Sequence, residues 1–98
     1  MTGPAAQKKF LRLDKWLVYA RFNKTRSQAA DLVAGGVRIN GRKIEKPDSK
    51  LHIGDVLTLI IGTEIRLIHV LRLAEWRGSP QVAHEMYEIL PQATQSLE

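Results

Sequence analysis

The chain has 98 residues, 44% of them hydrophobic and none of them cysteine. That supports one modest core, is short for an enzyme with a deep cleft, and excludes disulfides and thiolate metal sites. The net charge of +5 is unevenly spread: residues 1–50 hold twelve Lys/Arg against four Asp/Glu, a net +8, whereas residues 51–98 hold three against six, a net −3. One cationic working surface on a nearly neutral support is the expected arrangement. No apolar run approaches the roughly 18 residues of a membrane span, and "MTGPAAQKKF" lacks the apolar segment of a signal peptide. A cytoplasmic protein is expected, with no membrane contact. His52, His69 and His84 match no metal-ligand spacing, so neither metal nor cofactor is expected.

Residues 1–10 read as a flexible basic arm. The first helix is predicted from Leu13 to Arg21, because Leu13, Trp16, Leu17 and Ala20 follow the i, i+3, i+4, i+7 spacing of a buried stripe. Arg12, Lys15 and Tyr19 fall on another face, Tyr19 as a packing residue. After the link "FNK", Thr25 is placed to cap a second helix, and Gln28 stands three residues on, the capping-box spacing. Ala29, Leu32 and Val33 share its inner face, and Gly35-Gly36 ends it. Arg21, Lys24 and Arg26 crowd its start. Cations there oppose the helix dipole at a cost of roughly 0.3–1 kcal/mol each, so an acid at position 26 should leave the free protein as stable as before, or more so.

"VRINGRKI" is a hairpin about Asn40-Gly41. Val37 then faces Ile44, Arg38 faces Lys43, and Ile39 faces Arg42. Val37, Ile39 and Ile44 point to the core, and Arg38 and Lys43 become like-charged neighbours on the other side, which is unfavourable. "KPDSK" is a turn. "LHIGDVLTLII" gives a short extended piece, a Gly54-Asp55 turn and an apolar strand, and "IRLIHVLRL" a second long strand. "RGSP" opens a last helix with Ser79 as cap and Pro80 at its first position. Val82, Met86 and Ile89 form its stripe and Pro91 stops it. Residues 11–90 make a single domain, and residues 91–98 a disordered tail.

Both charge conflicts have one resolution. A helix start with free N–H groups beside Arg21, Lys24 and Arg26 suits a phosphate, and so does a hairpin with Arg38 opposite Lys43. A bound polyanion turns each local penalty into attraction.

The run "RLDKWLVYARFNKTRSQAADLVAGGVRINGRKIEKPDSKLHIGDVLTL" resembles the S4 RNA-binding domain. The pattern G-x-V-x-(V/I)-N-G followed by G-D is met by Gly35, Val37, Ile39, Asn40, Gly41, Gly54 and Asp55. "RLDKWL", "ARFNKTRSQA" and "EMYE" are most similar to the heat shock protein 15 group. The resemblance implies an α+β fold: an N-terminal helix-loop-helix packed on a small, mostly antiparallel sheet, with a C-terminal helix. It implies RNA binding without catalysis, on large ribosomal subunits that retain peptidyl-tRNA, in the recycling or rescue of stalled ribosomes under stress. It maps the RNA surface onto Arg12, Lys15, Arg21, Lys24, Thr25, Arg26, Gln28, Arg38, Asn40 and Lys43. The expected acting unit is a monomer.

Three rival readings are weaker. A helix-turn-helix DNA reader should present base-reading side chains along its second helix, but that face offers Ala30, Asp31 and Ala34. Charge gathered at a helix start and a hairpin suits folded RNA better. An enzyme lacks a nucleophile–base–acid set: Asp14 and Asp55, the carboxylates of the recognised motifs, read as structural. A constitutive ribosomal component would keep constant stoichiometry on ribosomes.

Overall fold

The computed structural model describes residues 10–74 and 76–91. Except for Phe10 and Pro91, the expected arm over residues 1–10 and tail over residues 91–98 lie outside them. The elements run β1 (Leu11–Arg12), α1 (Leu13–Tyr19), α2 (Arg26–Ala34), β2 (Val37–Ile39), β3 (Arg42–Ile44), β4 (Lys50–Leu51), β5 (Val56–Ile61), β6 (Glu64–Val70), α3 (Pro80–His84) and β7 (Tyr87–Leu90). Five strands form an antiparallel sheet in the order β3-β2-β5-β6-β7, and β1 pairs with β4 in a separate ribbon.

The predicted stripe of α1 is buried throughout: Leu13, Trp16, Leu17 and Ala20. With Ala29 and Val33 of α2 they pack on Val37, Ile39, Leu57, Leu59, Ile68 and Val70 of the sheet, and Tyr19 packs partly buried against them, as expected. The Trp16 indole N–H, which would be costly to bury unpaired, donates to the Arg72 carbonyl at 2.9 Å.

α1 ends at Tyr19, two residues before the expected Arg21. The chain turns there through a left-handed Arg21 (φ 67°). The Arg21 amide donates to the Val18 carbonyl at 3.0 Å and the Phe22 amide to the Leu17 carbonyl at 2.9 Å, the bond pattern of a Schellman cap, in a position usually given to glycine. The Arg21 guanidinium reaches the Gly78 carbonyl from Nε at 2.9 Å and from Nη2 at 2.6 Å. In return Arg77 Nε donates to the Val18 carbonyl at 3.2 Å. Two arginines thus lash the segment before α3 to the end of α1.

The hairpin has the expected register, Val37↔Ile44, Arg38↔Lys43 and Ile39↔Arg42. Asn40 (φ 53°) and Gly41 (φ 83°) are both left-handed, as a type I′ turn requires. Asn40 also fastens this turn to the Gly54-Asp55 turn. Its Nδ2 donates to Asp55 Oδ1 at 3.0 Å, its Oδ1 accepts from the Val56 amide at 2.9 Å, and its own amide donates to the Val56 carbonyl at 2.7 Å. Asp55 Oδ2 accepts from the His52 amide at 2.8 Å. The N-G and G-D motifs are therefore two halves of one clamp.

The C-terminal helix is much shorter than the sequence pattern implies. Ser79 caps it, its Oγ accepting from the Val82 amide at 3.3 Å, but α3 stops at His84. The "EMYE" region is not helical: Tyr87–Leu90 forms β7, paired with β6 through Leu67↔Leu90, Ile68↔Ile89, His69↔Glu88 and Val70↔Tyr87. Val82 and Ile89, expected in a buried stripe, are 43% and 51% exposed, whereas Ala83 and Met86 are buried. A helix over 80–90 would leave the long edge of β6 unpaired, and the aromatic and β-branched residues of "YEIL" suit a strand.

The clamp should dominate local stability. Asn40→Ala removes both amide bonds and strains a left-handed position, and should cost on the order of 2–3 kcal/mol in urea unfolding. Asn40→Gly, which keeps the turn geometry, should cost less. Equal stability of Asn40→Ala and the unmodified protein would show that the clamp holds nothing.

Candidate nucleic-acid interface

At the junction of the two helix starts lies a buried carboxylate. Asp14, in the first turn of α1, is 3% exposed. Arg12 grips it in a fork, Nε to Oδ1 at 3.1 Å and Nη2 to Oδ2 at 2.9 Å, the strong bidentate form of this pair. Its Oδ1 also accepts from the Lys15 amide at 2.8 Å. From α2, Arg26 Nε approaches Oδ2 at 3.5 Å. Burial pushes the Asp14 carboxyl upward. The Arg12 hydrogen bonds and charge, the Lys15 amide and the Arg26 charge outweigh it and hold the group below the usual carboxylate range. The Asp14 hydrogen bonds, in turn, raise the Arg12 guanidinium.

This arrangement corrects the expectation for position 26. The cation at the start of α2 does oppose the dipole, but it also faces a desolvated carboxylate on the neighbouring helix. An acid there would stand against Asp14, so Arg26→Glu should destabilise the free protein.

The α2 cap forms as expected, with the Gln28 amide donating to Thr25 Oγ1 at 3.1 Å. Gln28 Oε1 accepts from the Lys24 amide at 2.9 Å, one residue upstream of the partner in a standard capping box. The amides of Arg26 and Ser27 meet no acceptor among the described residues. They are open donors at the start of a nine-residue helix, beside Lys24 and Arg26. The start of α1 is closed instead: the Leu13 amide donates to the Ser49 carbonyl and the Asp14 amide to the Pro47 carbonyl, both at 2.9 Å.

The ten residues mapped from the sequence thus divide. Arg12 and Arg26 are brought together by Asp14, with Lys15 and Lys24 at the same helix starts. Arg21, Thr25, Gln28 and Asn40 all hold backbone. Arg38 and Lys43 form their own pair on the face of the sheet turned away from the helices, since Val37 and Ile39 alternate with Arg38 into the core. Arg38 Nη1 also donates to the Gly41 carbonyl at 3.1 Å. The two cationic groups do not share one face.

Sequence reasoning missed Arg42 and Lys50. Lys50 is the cross-strand partner of Arg12, a third like-charge pairing. Arg42 faces the same side as Ile39 and Ile44 and lines a pocket with them. The hairpin register already put Arg42 on the Ile39 side. The pairing of β1 with β4 had no local signal. Among the described residues no helix is long and apolar enough to cross a membrane.

A helix pair whose starts carry clustered cations, followed by an N-G hairpin clamped to a G-D turn, defines an S4-type RNA-binding module, and residues 11–57 match the S4 domain family. The chain belongs to the heat shock protein 15 family. It is 40% identical to the heat shock protein 15 homolog of Aeromonas salmonicida over 90% of its own length and 67% of that protein's. It is 35% identical to the RQC P-site tRNA stabilizing factor of Listeria innocua, over 82% of this chain and 86% of that one. The trimeric structure of Vibrio cholerae heat shock protein 15 superposes with a TM-score of 0.79 at 34% identity, covering 89% of this chain and 88% of that chain. The chain spans 59–67% of the length of the Aeromonas, Escherichia coli and Haemophilus influenzae heat shock protein 15 relatives it matches.

The Asp14 network gives a prediction with a definite pH sign. The carboxyl pKa is lower folded than unfolded, so its contribution is complete above the unfolded value of about 3.9 and fades as pH falls through the folded value. Asp14→Asn should cost on the order of 1–3 kcal/mol near neutrality, and its deficit against the unmodified protein should shrink below about pH 4. Chemical unfolding at several pH values checks this. A deficit that is constant down to acid pH would assign Asp14 a role independent of its charge.

Proposed function

We propose that this protein binds structured RNA without catalysing a reaction. Its target is ribosomal RNA of the large subunit carrying peptidyl-tRNA, in the recycling or rescue of stalled ribosomes under stress. The observation that carries the RNA reading is the cationic junction at the two helix starts. Arg12 is fixed by two hydrogen bonds on the buried Asp14 carboxylate, Arg26 stands 3.5 Å from the same group, and the open Arg26 and Ser27 amides lie beside Lys24. Fixed cations and free helix N–H groups are what a phosphate backbone requires.

The ribosomal part of the proposal is supported by the name of the Listeria relative, which refers to P-site tRNA. It implies work in the cytoplasm. The absence of catalysis is supported by the engagement of Asp14 and Asp55, both of whose carboxylates are tied into the fold. One chain supplies the whole junction, so the acting unit is taken as a monomer. A light-scattering mass of one chain fits that, and a trimer, the state named for the Vibrio structure, would revise it.

RNA titrations across salt concentrations test the proposal. With four to six phosphates neutralised, log K against log salt should fall with a slope of about −3 to −5. Arg26→Gln should weaken binding by roughly tenfold, about 1.4 kcal/mol. Matched duplex DNA should bind less tightly than structured RNA. A slope near zero, or unchanged binding by Arg26→Gln, would overturn the assignment of this surface. Equal sedimentation with ribosomes in stressed and unstressed cells would favour a constitutive component over a rescue factor.

A further inference from the structure

Between the β2–β3 hairpin and β4 lies a pocket of about 400 Å³, lined by Ile39, Asn40, Arg42, Ile44, Lys50, His52 and Asp55. Its size falls within the roughly 300–1,000 Å³ of small-ligand sites. Its walls differ in chemistry. Ile39 and Ile44 are apolar, the first buried and the second half-buried. Asn40 and Asp55 form a rigid side, being bonded to each other and to the backbone. Arg42 and Lys50 stand exposed at the rim, and neither has a carboxylate within 4.0 Å among the described residues.

Aromatic surface completes the rim. The His52 side chain is 51% exposed, and its ring centroid lies 6.1 Å from that of Phe10. The Lys50 ammonium lies 4.6 Å from the Phe10 ring centroid. Asp55 brings a negative charge, but one oxygen accepts from Asn40 and the other from the His52 amide, with the His52 imidazole at 3.6 Å. Its remaining acceptor capacity suits a base N–H and not a phosphate.

The geometry points to a binding site for one unstacked nucleotide of the bound RNA, with the base against Ile39, Ile44 and the His52 ring and the adjoining phosphates on Arg42 and Lys50. An apolar floor, an exposed π face and paired cations are the elements by which proteins hold single-stranded bases. A nucleotide inside a duplex offers no free base face to this site. The position also fits: Lys50, which lines the pocket, is the cross-strand partner of Arg12, so one wall of the pocket adjoins the Asp14 junction. RNA held there can send an adjoining single-stranded residue into it. This inference rests on the RNA-binding reading and deepens it, because it makes the protein a reader of a duplex–single-strand boundary and not of backbone charge alone.

The test uses the full chain and three probes: a structured ribosomal RNA fragment, a short oligoadenylate, and an abasic ribose-phosphate oligomer of the same length and charge. The unmodified protein should bind the oligoadenylate at least about fivefold more tightly than the abasic oligomer. His52→Ala should remove most of that difference while leaving the abasic affinity unchanged. Arg42→Gln and Lys50→Gln should weaken both oligomers, each lowering the salt slope by about 0.7. Equal affinity for the oligoadenylate and the abasic oligomer, with the structured fragment still bound, overturns the pocket alone. So does a base-dependent gain that survives in His52→Ala. Loss of binding to all three probes overturns the pocket and the RNA reading together.

Discussion

A single carboxylate organises the proposed RNA-binding end of this protein. Asp14 is almost wholly out of solvent, yet it stays ionised because Arg12, the Lys15 amide and Arg26 surround it. A buried charge without such partners would be strongly unfavourable. The requirement works in both directions. Asp14 is held chiefly by the Arg12 fork and the Lys15 amide, with Arg26 adding its charge, and the two guanidinium groups, which would repel each other in isolation, stand close at the starts of two different helices. The apolar stripes of α1 and α2 set how the helices pack, and Asp14 sets how the two arginines stand at their starts.

The remainder of the fold keeps this junction in place. The amides at the start of α1 are closed by carbonyls of the loop before β4, so the donors left open lie at the start of α2. The Asn40–Asp55 clamp fixes the hairpin to the turn that leads into β5, and the same clamp forms one wall of the pocket beside Lys50. Arg21 and Arg77 bind the far end of α1 to the segment before α3. Cations in this molecule thus have two uses. Some are tied to backbone carbonyls and hold elements together. Others are fixed by a carboxylate or left exposed, and those can meet phosphate.

Much of this was legible in the sequence where short-range rules decide the outcome. Asn40-Gly41 forces a two-residue turn, so the hairpin register followed from two residues, and Thr25 with Gln28 announced the start of α2. The last helix misled because Val82, Met86 and Ile89 fall at helical spacing while the deciding factor, the unpaired edge of β6, is remote. The same limit hid the internal partner of Arg26, since Asp14 lies on the other helix. It hid Lys50, whose neighbour Arg12 reaches it only through the pairing of β1 with β4. Charge conflicts within one segment were visible from the sequence; the groups that resolve them lie in other segments.

On the proposed RNA surface, Asp14 is the group that positions the cations. Affinity of Asp14→Asn for a structured ribosomal RNA fragment, measured at low salt and well below its melting temperature, tests it most directly. The substitution raises the local positive charge by one, so a surface acting through charge alone would bind as tightly as before or more tightly. If the carboxylate instead fixes the two arginines, binding should weaken by about three- to tenfold despite the added charge. Unchanged or stronger binding would show that Asp14 does not position them.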